Sequence, residues 1–190
     1  LTQAQQRRER FVDVENVRIL GVKALIDGVL SAQTAWMLEP YADAPGNVGF
    51  QILPSEVLLD QVREADALGF QVHIHAIGDR AVRETLDIYE RVAQDNGRRD
   101  SRHRVEHVEV AHPEDQKRFA ELGVIANMTP LHCTACIGDY VEDRLGETRG
   151  GHAYVWRNFV DLGVHLCFGT DWPAVDLADP NPLEQIFAAV

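Results

Sequence analysis

The feature that most constrains the fold is an alternation of short apolar strands with amphipathic helices along the whole chain. Five such units predict a parallel sheet with helices outside it. A complete (β/α)8 barrel takes roughly 250 residues, so we expect the C-terminal five units of an α/β TIM barrel. All 190 residues then form one domain, with no second domain. A doubly wound sheet is the alternative, although no G-x-G-x-x-G follows any predicted strand. The strands are predicted at 17–26, 70–75, 102–110, 124–128 and 164–169. Helices are predicted at about 3–15, 55–68, 79–94, 113–122 and 152–162.

The net charge and the number of cysteines limit which binding partners and which cellular compartment are expected. With 30 acidic against 18 basic residues the formal net charge is −12, so neither nucleic acid nor an anionic membrane would be attracted. A small-molecule substrate is the expected partner. Three cysteines are too few for a disulfide framework and favour a reducing, cytoplasmic location. Because the chain starts at Leu1 and stops inside an apolar helical pattern, we expect it to belong to a longer protein.

Two histidines mark the second predicted strand, F-Q-V-H-I-H-A-I-G-D-R from Phe70 to Arg80. His73 and His75 are two residues apart, so both side chains lie on one side of the strand. Either both face a ligand, or one binds it while the other packs. A pair of hydrogen-bonded core histidines is the structural alternative.

Polar groups lie near the carboxyl ends of four predicted strands. In a parallel barrel these ends share one face, so residues far apart in sequence can converge there. Two neutral imidazoles and a carboxylate suit a divalent metal such as zinc, which can lower the pKa of a bound water to about 7. Taken singly, the aspartate could be a turn residue and the lysine could extend to solvent. The four residues are Lys23, His75, His107 and Asp171.

Several blocks of the sequence resemble the amidohydrolase superfamily. They include H-A-I-G-D-R-A-V at 75–82, R-H-R-V-E-H at 102–107, R-F-A-E-L-G-V-I-A at 118–126 and G-T-D-W-P at 169–173. V-K-A-L-I-D-G at 22–28 and the later E-P-Y at 39–41 are similar to the same branch, which includes N-substituted formamide deformylases. The resemblance covers nearly the whole chain. It implies a TIM-barrel, metal-dependent hydrolase that cleaves a carbon–nitrogen, amide-type bond with a metal-activated water.

The resemblance also implies roles for individual residues. Lys23 matches a lysine that in some members is N-carboxylated and bridges two metals. His75 and His107 match the metal ligands of the fifth and sixth barrel strands. Asp171 matches an aspartate that binds metal or takes the proton from the attacking water and passes it to the leaving amine. His132 is expected to contact substrate, and His73 is the less favoured ligand of its pair.

One element of the family pattern is missing from this sequence. The family's first metal-binding element is a His-x-His on the first barrel strand, and this chain begins after it; its one H-x-H is the pair in the second predicted strand. We therefore expect an incomplete metal site and an inactive isolated chain. A partial barrel would also leave two sheet edges unpaired, which predicts self-association.

Other functions have weaker support. The C-x-x-C of Cys133 and Cys136 lacks a second pair of zinc ligands, and no serine lies in a G-x-S-x-G. The rivals are a deaminase-type hydrolase of the same superfamily and a non-catalytic partial barrel that only binds metal. Substrate specificity is expected in two long connections, 29–54 and 129–151.

Overall fold

The computed structural model describes residues 1–134, 140–173 and 181–190, and within these residues five strands alternate with helices. The strands β1 to β5 span Gly21–Leu25, Gln71–Ala76, Arg104–His107, Ile125–Met128 and Leu166–Phe168. The helices α1 to α8 span Thr2–Arg10, Ser55–Ala67, Asp79–Asn96, Pro113–Leu122, Leu131–Thr134, Tyr140–Gly150, Trp156–Asp161 and Pro182–Ala188. No described helix is both long and apolar enough to cross a membrane.

The strands form one parallel sheet in the order β1-β2-β3-β4-β5. Each strand therefore lies beside the strand that follows it in sequence. A doubly wound sheet reverses its strand order at a switch point, whereas a barrel does not. The architecture is that of a partial TIM barrel, which confirms the fold class predicted from the sequence.

The two faces of the sheet differ in chemistry because side chains alternate along each strand. One face packs on the helices, where Ile74, Val105 and Ala126 are fully buried together with the aromatic rings of Phe119 and Phe159. The other face is polar: the guanidinium of Arg104 donates to Glu106 (2.9 Å) and to Nδ1 of His73 (3.0 Å). Asn127 also donates to Glu106. The ring of His73 donates through Nε2 to Gln71 (2.8 Å), so both of its nitrogens are paired.

The long connection after β1 is an ordered cover over the carboxyl ends of the strands. Its apolar residues form a second buried cluster, which also includes Ile77 and Val110 beyond β2 and β3. The Tyr41 hydroxyl donates to the Ala35 carbonyl (2.7 Å), and Arg149 of α6 donates to the Pro40 carbonyl (2.7 Å). The cover is therefore bonded to α6.

Two parts of the chain differ from the sequence-based expectation. The first helix was expected to reach Glu15 and ends at Arg10, and the following turn contains Asn16 with a left-handed φ of 66°. The connection 129–151 was expected to be a loop and contains α5 and α6. Within α6 only Leu145 is buried and Gly146 interrupts the helix with φ 71°, so no apolar stripe reveals it in the sequence.

Candidate metal centre

Three side chains converge beyond the carboxyl ends of β3, β4 and β5. His107 is the last residue of β3, His132 lies on α5 after β4, and Asp171 follows β5. One ligand atom from each lies within 4.8 Å of those of the other two. Because parallel strands end at the same edge of the sheet, three segments separated in sequence meet at one point.

The backbone at two of these residues is unusual. His107 has φ 75° and Asp171 has φ 52°, both in the left-handed region that non-glycine residues seldom adopt. Val108, next to His107, also has a left-handed φ of 49°. Such conformations cost about 1–3 kcal/mol each and concentrate at functional sites. By strict alternation His107 would share the helix-packed face with Val105, yet its ring centroid lies 4.6 Å from that of His75.

The imidazole of His107 is suited to bind a cation. Burial lowers its pKa to about 2, assisted by the nearby His75, His132 and Lys23, so the ring is neutral. Its Nδ1 is buried and has no hydrogen-bond partner among the described residues. A buried polar atom without a partner is costly. A metal ion bound to this ring would account for the unpaired nitrogen.

His75 lies against His107 and is oriented through the other end of its ring. Its Nε2 is 2.9 Å from the carbonyl oxygen of Gly28, so Nε2 carries the proton and Nδ1 keeps a free lone pair. Burial lowers the pKa of His75, which keeps the ring neutral at physiological pH. A backbone carbonyl that fixes the tautomer of a histidine is a common arrangement behind metal ligands.

Asp27 is a buried carboxylate beside His75 that the sequence analysis did not single out. It accepts hydrogen bonds from the backbone N–H groups of Trp36 (2.9 Å), Ile77 (3.1 Å) and Gly78 (2.8 Å), and its Oδ1 lies 3.6 Å from Nε2 of His75. Burial raises its pKa to about 7 despite these bonds. It ties the covering connection to the end of β2. Its signal in the sequence is the acidic residue directly after the first apolar strand.

His132 is held from one side and faces the centre with the other. Its Nδ1 is 3.1 Å from Oε1 of Glu109, and its Nε2 is 3.8 Å from Oδ2 of Asp171. Its ring stacks on that of His107, with centroids 5.5 Å apart and an angle of 15° between the planes. Glu109 was also missed from sequence, where its one signal is its position two residues after His107.

Lys23 lies further from the carboxyl end of its strand than the sequence predicts. It lies at the centre of β1, in register with His73 rather than His75, and its side chain is exposed. The sequence analysis placed it near the end of its strand. Its positive charge still contributes to lowering the pKa of His75 and His107, after burial and other causes, so it lies within electrostatic range of the centre.

The two thiols in the described part of the chain have no comparable arrangement. Cys133 follows His132 and is half-buried, and burial raises its pKa, which favours the unreactive thiol form. Cys136 lies outside the described residues, and Cys167 is exposed on β5. The donor set of the centre is therefore two imidazoles and one carboxylate, a combination that suits zinc and related divalent metals.

Comparisons with known proteins agree with this geometry. The model of the amidohydrolase family matches residues 1–190. Protein LONG AFTER FAR-RED 3 of Arabidopsis thaliana is 40% identical over 171 residues, which are 90% of this chain and 29% of that protein. An uncharacterized metal-dependent hydrolase of Pyrococcus furiosus has 29% sequence identity and a TM-score of 0.83, over 99% of this chain and 38% of its own. Another, from Pyrococcus horikoshii, has 28% identity and a TM-score of 0.81, over 97% and 37%. The chain thus spans about a third of the length of these proteins.

Proposed function

The chain belongs to the amidohydrolase family, and from this premise we propose that the whole protein hydrolyses a carbon–nitrogen bond of the amide type with a metal-activated water. The observation that carries the proposal is the convergence of His107, His132 and Asp171, together with a buried nitrogen of the His107 ring that has no partner among the described residues. The metal-dependent hydrolases with the same fold support it.

The residues of the centre would have different roles in catalysis. His107 and Asp171 would hold the metal, together with the free Nδ1 of His75. A divalent metal bound there, zinc by preference, would supply an activated water and polarise the scissile carbonyl. Asp171 would accept a proton from the water and give it to the leaving amine. We propose that an unmodified Lys23 acts on the metal site only through its charge. An N-carboxylated Lys23 would be a further ligand.

For the substrate, we propose an N-substituted formamide or a related small amide. The support is the sequence resemblance to the formamide deformylase branch. Hydrolysis of a ring carbon–nitrogen bond, as in a deaminase, is the competing proposal. Assays of the whole protein on N-formyl amines and on purine and pyrimidine bases separate the two, since release of formate and release of ammonia are measured independently.

The net charge, the cysteine content and the sheet edges support proposals on the substrate class, the location and self-association. The net charge of −12 supports a small-molecule substrate over nucleic acid or a membrane. The proposed location is the cytoplasm, supported by the low cysteine content. Among the described strands β1 and β5 have one free edge each, which supports self-association of this chain when it is isolated.

Metal content measured by elemental mass spectrometry tests the proposal. We expect stoichiometric zinc or another divalent metal in the wild-type chain and none in the His75→Ala/His107→Ala variant. His165→Ala is the matched control, because His165 is exposed and outside the centre. Metal that persists in the double variant would place the site elsewhere. Absence of metal from the isolated chain and from the whole protein would favour a partial barrel without catalysis.

A further inference from the structure

Glu109 is a buried acidic group beside His132 at the centre. The residue is 4% exposed, and its backbone carbonyl accepts a hydrogen bond from the backbone N–H of Tyr154 (2.8 Å). The next residue, Val110, donates from its backbone to Ile77 (3.0 Å). These backbone hydrogen bonds fix the chain at Glu109 beyond the ends of two strands, and its buried carboxylate is paired with His132.

The hydrogen bond from His132 to Glu109 decides which ring nitrogen of His132 is free. An ionised carboxylate only accepts hydrogen bonds, so Nδ1 of His132 must carry the proton at 3.1 Å from Oε1. Nε2 then has a lone pair, and it faces Oδ2 of Asp171 at 3.8 Å. Two acceptors that face each other in a partly buried site repel, and a metal cation placed between them would remove this repulsion.

The distance between these two acceptors is compatible with one shared ion. Zinc binds histidine nitrogen and carboxylate oxygen at about 2.0–2.2 Å, so two ligand atoms of one ion are at most about 4.3 Å apart. The 3.8 Å between Nε2 of His132 and Oδ2 of Asp171 falls below this limit. The stacked ring of His107 also offers a ligand atom within 4.8 Å of those of His132 and Asp171.

We propose that Glu109 is a positioning residue that presents Nε2 of His132 as a further ligand of the metal held by His107 and Asp171. This inference rests on the proposed function, because it assumes that a metal binds there. It gives His132 a role at the metal in place of the substrate contact expected from the sequence. Carboxylates behind ligating histidines typically contribute about 10–100-fold in metal affinity.

Metal titrations of five proteins test the inference: wild type, Glu109→Ala, Glu109→Gln, His132→Ala and the Glu109→Ala/His132→Ala double variant. Zinc affinity is measured by competition with a chelating dye, and cobalt(II) is used for its visible spectrum, which reports coordination. We expect Glu109→Ala to weaken zinc binding by about 10–100-fold. We expect glutamine, whose amide oxygen accepts the same hydrogen bond, to restore most of it. The double variant should bind as weakly as His132→Ala, because Glu109 acts through His132.

Asp66→Ala is the matched control. Asp66 is 5% exposed and contacts Nε2 of His103 at 3.1 Å, so it forms an equivalent buried pair at the other end of the strands. Its loss should destabilise the fold without changing zinc affinity or the cobalt spectrum. Wild-type affinity in Glu109→Ala, or additive losses in the double variant, would overturn the inference and leave the proposed function standing. Absence of metal from both the folded wild-type chain and the whole protein would overturn both.

Discussion

Replacing His103 by glutamine should remove a pH dependence of stability that the wild-type fold has below neutrality. His103 lies just before β3 and is 4% exposed. Its Nδ1 accepts a hydrogen bond from the backbone N–H of Val72 (3.1 Å), and its Nε2 donates to Asp66 (3.1 Å). Burial lowers its pKa to about 4, against the attraction of Asp66. Protonation of Nδ1 would also break the bond to Val72.

The magnitude follows from the difference between the folded and unfolded chain. With a pKa of about 4 in the fold and about 6.5 in the unfolded chain, at about 1.4 kcal/mol per pH unit, His103 accounts for about 3 kcal/mol. The depressed pKa sets the sign, because between these values the unfolded chain binds more protons than the fold. The contribution is therefore complete above about pH 6.5 and is lost as the pH falls towards 4.

The assay is urea denaturation followed by tryptophan fluorescence at several values between about pH 7.5 and pH 4. Subtracting the free energy of unfolding of His103→Gln from that of wild type cancels the other titrating groups. We expect this difference to fall by about 3 kcal/mol across the range. The exposed His165→Gln is the control and should show a constant difference. A constant difference for His103→Gln would refute the reasoning.

Three further results are expected. Phe119→Ala should lower the free energy of unfolding by about 3–5 kcal/mol, since Phe119 is fully buried edge-on against Phe159; a loss in urea denaturation below about 1 kcal/mol would contradict this packing. Gly78→Ala should weaken stability and zinc binding, because its Cβ would lie 2.1 Å from the Trp36 carbonyl oxygen beside Asp27, whereas Gly150→Ala has open space and should be tolerated. Zinc at 100 times its Kd should add about 2.7 kcal/mol of stability, visible as a rise in Tm that chelator reverses. His107→Ala should show no such rise.

The parts of the fold that the sequence predicts well have local causes. The helix α4 was predicted with its observed ends, because Pro113 fits the first turn and Gly123 adopts the left-handed conformation (φ 67°) that ends a helix. The sequence also predicted the alternation of strands and helices. The short helix α5 and the interrupted α6 were not predicted, because α5 has only four residues and in α6 only Leu145 is buried, so neither carries a regular apolar stripe.

The sequence predicts residues of the candidate metal centre only where they directly follow apolar strands. His107 and Asp171 occupy such positions, and the structure brings them together. Asp27 lies beside His75, and Glu109 lies beside His132. No periodic pattern in the sequence distinguishes such a buried carboxylate from one at the surface. The central position of Lys23 on β1 was also beyond the sequence, because strand register depends on the pairing with β2.

The two ends of the sheet show why residue type alone does not identify a functional histidine. His103 and His132 both contact a buried carboxylate at 3.1 Å. At the amino end of β3 the second nitrogen of His103 is satisfied by the backbone of Val72, so the pair is complete and contributes to stability. At the carboxyl end the second nitrogen of His132 faces Asp171, and Nδ1 of His107 has no partner among the described residues. An unpaired buried nitrogen close to a second histidine and a carboxylate, rather than a buried histidine as such, therefore distinguishes the end of the sheet at which we propose that a cation binds.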